Sequence, residues 1–384
     1  MKIFNSHSHL GVDIERGKMG LKYIFDKSYI GWLYELPSES REDIKAYFEK
    51  VMTMKAFVQL KAALEKLYGN GLKLDLNTWD VFDERIKKAY EDPNHENHVL
   101  RDVCGYDEIL LDDWIDIRSS GSNGVECSVA LRCDFMFYGY SREGLESCEA
   151  NNFDFFDHVP DNIYDYEIKM RDYIKESLEM GKCTALKVCM AYFRDLDFEP
   201  VDCHMAGVVY EDDESSEYIR MFQDYVMAKI CEIAGEFNIP IQIHTGLGQV
   251  TDTSPINLMP LIRKYSNVRF SLLHGGFPWA DDLLAVLYEC PNAWLDICWM
   301  PSLSSIIARD TLINVLELIG TDRIMWGCDA ATVEESYGAL LAGIDILDEV
   351  NGYFINKGVF DEAFGDRLKE KILYSNAKDF FNEL

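Results

Sequence analysis

The sequence has 384 residues, 48% of them hydrophobic, and a formal net charge of -30 from 67 acidic and 37 basic residues. A surface of this sign repels phosphate backbones, which argues against nucleic acid as a partner. No stretch approaches 18 uninterrupted apolar residues, which argues against a membrane span. The composition therefore favours a globular protein with a large core, and a single domain over residues 1–384 can reach this length when it carries insertions.

The cysteine content and the N-terminal residues indicate the cellular compartment of the protein. The chain has 11 cysteines, an odd number, and none are spaced as C-x-x-C. This usage is typical of reduced, buried thiols rather than of a disulfide framework. The opening residues MKIFNSHSHLG lack the apolar stretch of a signal peptide. We therefore expect a cytoplasmic protein.

The first two segments of the chain differ in the spacing of their apolar residues. A short apolar run, Ile3–Phe4, leads into a polar segment, residues 6–11, and reads as a strand that ends at a turn. Between about residues 28 and 96, apolar residues recur at three- and four-residue spacing with charges between them, which indicates helices. No linker-like composition borders this block. It is therefore predicted to be a helical insertion after the first strand, within one domain.

Strand candidates then alternate with amphipathic stretches. The amphipathic stretches include Asp165–Met180, Tyr218–Phe237 and Asp281–Cys290. The further strand candidates are Glu108–Leu111, Ser128–Cys133, Ala185–Met190, Pro240–His244, Val268–His274, Ala293–Cys298 and Arg323–Cys328. Alternation of buried-looking strands with helices predicts a parallel sheet. With the opening strand the candidates number eight, which predicts an α/β fold, the (β/α)8 TIM barrel.

Five metal-ligating side chains fall at or just after strand ends: His7, His9, His244, His274 and Asp329. In a parallel barrel all strand carboxyl ends open on one face, so these side chains can converge there. His7 and His9 are two residues apart, and on a strand such residues point to the same side.

Each of these residues alone has a more ordinary interpretation. H-x-H pairs also occur for packing, and His244 alone would read as a buried histidine that donates to a carbonyl. His274 precedes two glycines and could cap a loop, while Asp329 could cap the next helix. Together the five favour a site for a divalent metal. Imidazoles with one carboxylate suit Zn²⁺ well, and Fe, Co or Mn less selectively.

At this point the chain resembles the amidohydrolase superfamily. The resemblance rests on "IQIHTGLG", "LLHGGFPWADDLLAVLYECPNAWLDICWMPS" and "RIMWGCDA", and extends to "GYDEILLDD" and "ALKVCMAYFRDL". It is strongest toward the amidohydrolase-like domain that is fused to glutamine-synthetase-like proteins, and it spans most of the chain. H-x-H on the first strand, His on the fifth and sixth and Asp on the eighth is the order seen in that superfamily.

The resemblance implies roles for these residues. His7, His9, His244 and Asp329 would bind the metal, and His274 would be another ligand or a catalytic acid and electrostatic stabiliser. Lys187 occupies the position where binuclear members carry a carboxylated lysine. Unmodified, it would bind a substrate carboxylate, so one ion is favoured and a second stays open.

Outside the five candidate metal ligands, the sequence gives fewer indications of functional residues. Arg194, in the segment "AYFR", would sit near the active site in the resembling family and could bind a substrate carboxylate through its planar fork. His204 and Trp299 show no functional signal, and His95, His98 and His158 are interpreted as surface or structural residues.

We therefore expect a metal-dependent hydrolase that cleaves a C–N or ester-like bond of a small molecule with metal-activated water. Asp329 would shuttle the proton and His274 would stabilise charge on the attacked oxygen. Two alternatives remain open: a non-oxidative decarboxylase or isomerase on the same metal barrel, and an inactive metal-binding module. A homo-oligomer is compatible with this fold, and fold alone does not decide the chemistry.

Overall fold

The computed structural model describes residues 1–11, 14–112, 125–141, 159–181, 183–211, 215–248 and 251–382, so His158 lies outside the described residues. Eight strands form one sheet in sequence order, and all neighbouring pairs are parallel. The strands are β1 Ile3–Ser8, β2 Tyr106–Leu111, β3 Glu126–Arg132, β4 Cys183–Val188, β5 Ile241–His244, β6 Phe270–Leu273, β7 Ala293–Asp296 and β8 Ile324–Met325. Just beyond β8, the Trp326 carbonyl accepts the Ser6 N–H at 3.2 Å and joins the last strand to the first. The predicted TIM barrel is confirmed.

Helices lie in most of the described segments between the strands and after β8. They are α1 Leu21–Lys27, α2 Arg41–Val51, α3 Lys55–Tyr68, α4 Trp79–Ala89, α5 His95–Asn97, α6 Ile163–Glu179, α7 Cys203–Gly207, α8 Ser216–Phe237, α9 Met259–Lys264, α10 Ala280–Glu289, α11 Met300–Leu303, α12 Ser305–Ile319, α13 Val333–Asn356, α14 Glu362–Glu370 and α15 Asn376–Asn382. The three amphipathic stretches noted in the sequence correspond to α6, α8 and α10. No helix in these described ranges combines the length and the apolar character that a bilayer crossing requires.

The helices between β1 and β2 carry an apolar cluster of their own. Phe25, Tyr47, Trp79 and Phe82 are among its buried members. Helix α3 packs against α13 of the barrel. The hydroxyl of Tyr68 there donates to the buried Glu334 carboxylate at 2.5 Å. The insertion is thus attached to the barrel by buried contacts.

One end of the barrel is closed by the C-terminal helix. Phe380 and Phe381 on α15 pack in a buried cluster with Phe4 of β1 and Met325 of β8. Because these residues fill the end where the strands begin, the opposite end, where the strands finish, is the one available for a site.

Candidate metal centre

The seam between the first and last strands brings Asp329 to the two N-terminal histidines. The Asp329 N–H donates to the His7 carbonyl at 2.9 Å, and the His9 N–H donates to the Ala330 carbonyl at 3.1 Å. A side chain at Gly327 would place its Cβ 2.7 Å from the His7 nitrogen, so only glycine permits this close approach. Closure of the barrel itself therefore builds the cluster.

Three imidazoles surround the Asp329 carboxylate. Its Oδ1 lies 3.2 Å from Nε2 of His7 and 3.3 Å from Nε2 of His9. Its Oδ2 lies 3.5 Å from Nδ1 of His274. Ligand atoms at about 2.0–2.1 Å from a tetrahedral cation are roughly 3.3 Å apart. The separations around Oδ1 fit that geometry.

The hydrogen bond on the other ring nitrogen of His9 supports the same fit. Nδ1 of His9 lies 3.1 Å from the Asp112 carbonyl, which can only accept, so Nδ1 donates to it. Nε2 is left to face the Asp329 oxygen, where a cation could bind between the two atoms. A carbonyl behind the histidine is the usual support of a metal ligand. The residues present therefore fit a divalent metal.

The ring of His244 is hydrogen-bonded to the ring of His274. Its Nδ1 lies 2.9 Å from Nε2 of His274, and its Nε2 lies 2.7 Å from the Leu247 carbonyl. The structure thus brings His7, His9, His274 and Asp329 together, while both nitrogens of His244 have partners within the protein. A ligand role for His244 would require one of its two nitrogens to exchange its present partner for the metal.

Burial sets the protonation states of the cluster. It lowers the pKa of His7 to about 4 and that of His244 to about 3, with the Lys187 charge acting in the same direction. The pKa of His274 is likewise held well below its ordinary value by burial. Burial disfavours the charge on Asp329, but His7 and the hydrogen bonds around it outweigh burial and hold its pKa well below the usual range. Neutral imidazoles with an ionised carboxylate are the forms that bind metal.

A buried cationic group adjoins the cluster. Nζ of Lys187 lies 3.6 Å from Asp112 Oδ2, and Nη1 of Arg132 lies 3.0 Å from the same oxygen. Burial disfavours the Lys187 ammonium, but Cys189 and Asp112 outweigh it and raise the lysine pKa. Lys187 therefore keeps its proton, whereas carboxylation would require the neutral amine.

Arg194 is held away from the cluster. Its Nη2 lies 2.8 Å from Asp224 Oδ1 on α8 and donates to the Asp197 carbonyl at 2.7 Å, and its guanidinium stacks 4.7 Å from the Phe198 ring centroid. In the described chain the side-chain partners of Arg194 belong to residues 195–198 or to α8. Arg194 therefore compensates the buried charge of Asp224.

Several residues of the site had no counterpart in the sequence analysis. Tyr29, from the insertion, lies near Asp329: burial and then the charge of that carboxylate raise the pKa of its phenol, and its ring lies 5.3 Å from that of Trp299. Tyr192, after β4, lies 4.6 Å from the His244 ring. Asp112 and Cys298 follow strands β2 and β7, so the strand-end rule that found the histidines could have found both. Tyr29 had no local signal.

Backbone conformation marks the same residues. Asp329, His274 and Trp299 have φ values of 49°, 66° and 67°, in the left-handed region that L-residues rarely adopt. Such conformations cost on the order of 1–3 kcal/mol and cluster at functional sites. They support the assignment of this end of the barrel as the functional one.

The chain has relatives in sequence and in fold. The model of the amidohydrolase family matches residues 203–382. Protein fluG of Emericella nidulans is 30% identical over 152 residues, which cover 38% of this chain and 17% of that protein. The match thus spans less than a fifth of that curated relative.

Solved structures share the fold over the whole chain. A uronate isomerase from Thermotoga maritima superposes with a TM-score of 0.78 at 14% identity, over 99% of this chain and 94% of that one. A Lactobacillus casei protein described as a metal-dependent hydrolase gives 0.71 at 16% identity, over 100% and 95%. At these identities the likeness shows the barrel fold and not the reaction.

The part of the chain that the family model matches contains His244, His274 and Asp329. Residues 203–382 of this barrel thus resemble the amidohydrolase family, and the three residues lie within that match.

Proposed function

We propose that this chain hydrolyses a C–N or ester-like bond of a small, carboxylate-bearing molecule. The observation that carries the proposal is the Asp329 carboxylate, ionised and buried, within 3.2–3.5 Å of nitrogens of His7, His9 and His274. Such a carboxylate can both hold a cation and accept a proton next to it. The family match is compatible with hydrolases and isomerases alike.

His7, His9 and Asp329 would hold the cation, and zinc is the ion that this donor set suits best. When bound, a divalent cation supplies Lewis acidity and lowers the pKa of a coordinated water toward neutrality. Asp329 would accept a proton from the attacking water and return it to the leaving nitrogen or oxygen. The Tyr29 phenol, which lies near Asp329, would help to orient this carboxylate.

In this proposal Lys187 binds the carboxylate of the substrate. Arg132 has a second carboxylate partner, Asp134, in addition to Asp112, whereas the ammonium of Lys187 lies at the longer distance of 3.6 Å from Asp112. Lys187 is therefore the cation most available to a substrate carboxylate. It stands at the end of β4, next in the sheet to the strand of His244.

The proposal is tested by product analysis on protein loaded with zinc. A panel of N-acyl, amide, ester and lactone carboxylates is incubated with the protein, and ammonia or amine, alcohol, CO₂ and aldose–ketose conversion are each measured. Hydrolysis products are expected. Release of CO₂ or an isomerised sugar acid as the main product would replace the hydrolase by the decarboxylase or the isomerase, and turnover of no compound would favour an inactive module.

Lys187→Met tests the substrate carboxylate. With the hydrolysed substrate we expect KM to rise at least tenfold and kcat to change less, because the lost contact is made in the ground state as well as in the transition state. Lys175→Met, on an exposed face of α6, is the matched control and should change neither constant. An unchanged KM in Lys187→Met would remove the assigned role.

A further inference from the structure

A second group of ligand atoms lies on the far side of Asp329. Oδ2 of Asp329 is 3.5 Å from Nδ1 of His274, and this nitrogen is 3.4 Å from Sγ of Cys298. One donor atom from each of the three residues lies within 4.8 Å of the other two, and all three residues are buried. Oδ1 of the same carboxylate faces His7 and His9.

The protonation of His274 follows from its neighbours. The Leu247 carbonyl only accepts, so Nε2 of His244 carries a proton and Nδ1 of His244 has a lone pair. That lone pair accepts from Nε2–H of His274. Nδ1 of neutral His274 then has no proton. It presents a lone pair toward Asp329 and Cys298, and it cannot donate to a substrate oxygen.

Cys298 is held in place by a separate chain of hydrogen bonds. Its backbone N–H donates to Asp296 Oδ1 at 3.0 Å, and the other oxygen of Asp296 accepts from the Ser6 hydroxyl at 2.5 Å. For a tetrahedral ion, a sulfur at about 2.3 Å and a nitrogen at about 2.0–2.1 Å lie roughly 3.5 Å apart. The Sγ–Nδ1 separation of 3.4 Å fits that spacing.

We propose that Asp329, His274 and Cys298 form a second cation site, for a thiophilic divalent ion such as Zn²⁺. Asp329 bridges the two sites through its two oxygens, and it is the one residue shared with the proposed hydrolytic centre, on which this inference rests. Binding forms a metal–sulfur bond and releases the thiol proton to solvent, with no change of oxidation state. Soft thiolate selects zinc or cobalt over magnesium and manganese.

The test is titration of the metal-free full chain with Co²⁺, because cobalt bound to thiolate gives a near-ultraviolet charge-transfer band. The wild type should bind two Co²⁺ ions per chain and show the band. Cys298→Ala should bind one ion without the band, and the double variant His7→Ala/His9→Ala should bind one ion with it. Cys290→Ala, at a buried cysteine after α10, is the matched control and should behave as the wild type. Circular dichroism checks that each variant is folded.

Two results would overturn the second site. One is a wild type without the charge-transfer band, and the other is loss of the band in His7→Ala/His9→Ala, which would mean one ion shared by all five residues. Neither depends on turnover. A protein that shows the band but hydrolyses nothing would keep this site and refute the proposed function.

Discussion

His274 and His244 form a buried hydrogen bond of 2.9 Å, from Nε2 of the first ring to Nδ1 of the second. The direction of this bond is set from outside the pair, because the Leu247 carbonyl accepts a hydrogen bond from the N–H at Nε2 of His244. A main-chain oxygen thus determines which nitrogen of His274 faces Asp329. From this order we expect His244 to position His274.

Replacement of His244 by alanine should therefore affect stability and leave the His7–His9 site loaded. The His274 N–H would lose its acceptor in a buried position, which costs about 1–3 kcal/mol of unfolding free energy beyond the lost packing. Urea unfolding measures the loss, and elemental analysis after removal of free metal measures the content. His244→Gln offers a carbonyl in place of the ring nitrogen and should recover part of the stability. Zinc content that falls in His244→Ala as far as in a His7 variant would instead make His244 a ligand.

The N-terminal pair should determine whether metal binds between β1 and β8. His7→Ala/His9→Ala removes both imidazoles that face Asp329 Oδ1, so we expect the ion of that site to be lost. Elemental analysis should find at least one metal ion per chain fewer than in the wild type. His98→Ala is the matched control, since His98 is exposed and pairs with Asp102 on the surface. Equal metal content in the double variant and the control would refute the site.

The sequence predicted the parts of this site that depend on strand ends. His7 and His9 lie on one seam because they are two residues apart at the end of β1, and Asp329 meets them because β8 closes onto that strand. Both facts follow from strand geometry and barrel closure, which residue patterns report.

Loops and insertions have no residue pattern that predicts where their side chains point. Arg194 is four residues beyond Met190, where the fourth strand was predicted to end, and only the packed loop shows that its guanidinium turns to Asp224. Tyr29 reaches Asp329 from a segment whose local sequence predicts nothing beyond helix and turn. Its position depends on how the insertion packs on the barrel, for example through the Tyr29 N–H that donates to the buried Glu335 at 2.9 Å.

Tyr29 gives a prediction of its own. Tyr29→Phe removes the hydroxyl near Asp329 but keeps the ring against Trp299, so the fold and the metal content should be retained. If this hydroxyl orients the carboxylate as proposed, its loss should lower kcat by about ten- to a hundredfold, in keeping with about 1.4–2.7 kcal/mol of transition-state stabilisation. The exposed Tyr288 provides the control Tyr288→Phe, for which kcat should not change. A kcat of Tyr29→Phe equal to that of the wild type would leave the phenol with a packing role only.

The attachment of the insertion to the barrel should depend on pH through Glu334. This carboxyl is fully buried at the start of α13, where the phenols of Tyr68 and Tyr90 donate to it. Burial raises its pKa to about 7, from an ordinary value of 4.5. The folded state thus binds the proton more tightly than the unfolded state. The stabilisation from that proton is complete below about pH 4.5 and is lost as the pH rises toward 7, a difference of roughly 3 kcal/mol.

Glu334→Gln removes this titration while it keeps an oxygen for the two phenols. We expect the unfolding free energy of the variant to decline less between about pH 5 and pH 8 than that of the wild type, by up to roughly 3 kcal/mol. Urea unfolding followed by circular dichroism across this pH range measures the difference. Glu362→Gln, at an exposed position on α14, controls for the loss of one negative charge and should keep the wild-type slope. Parallel pH profiles for wild type and Glu334→Gln would mean that Glu334 is ionised in the folded protein, with its charge stabilised by the Tyr68 and Tyr90 phenols alone.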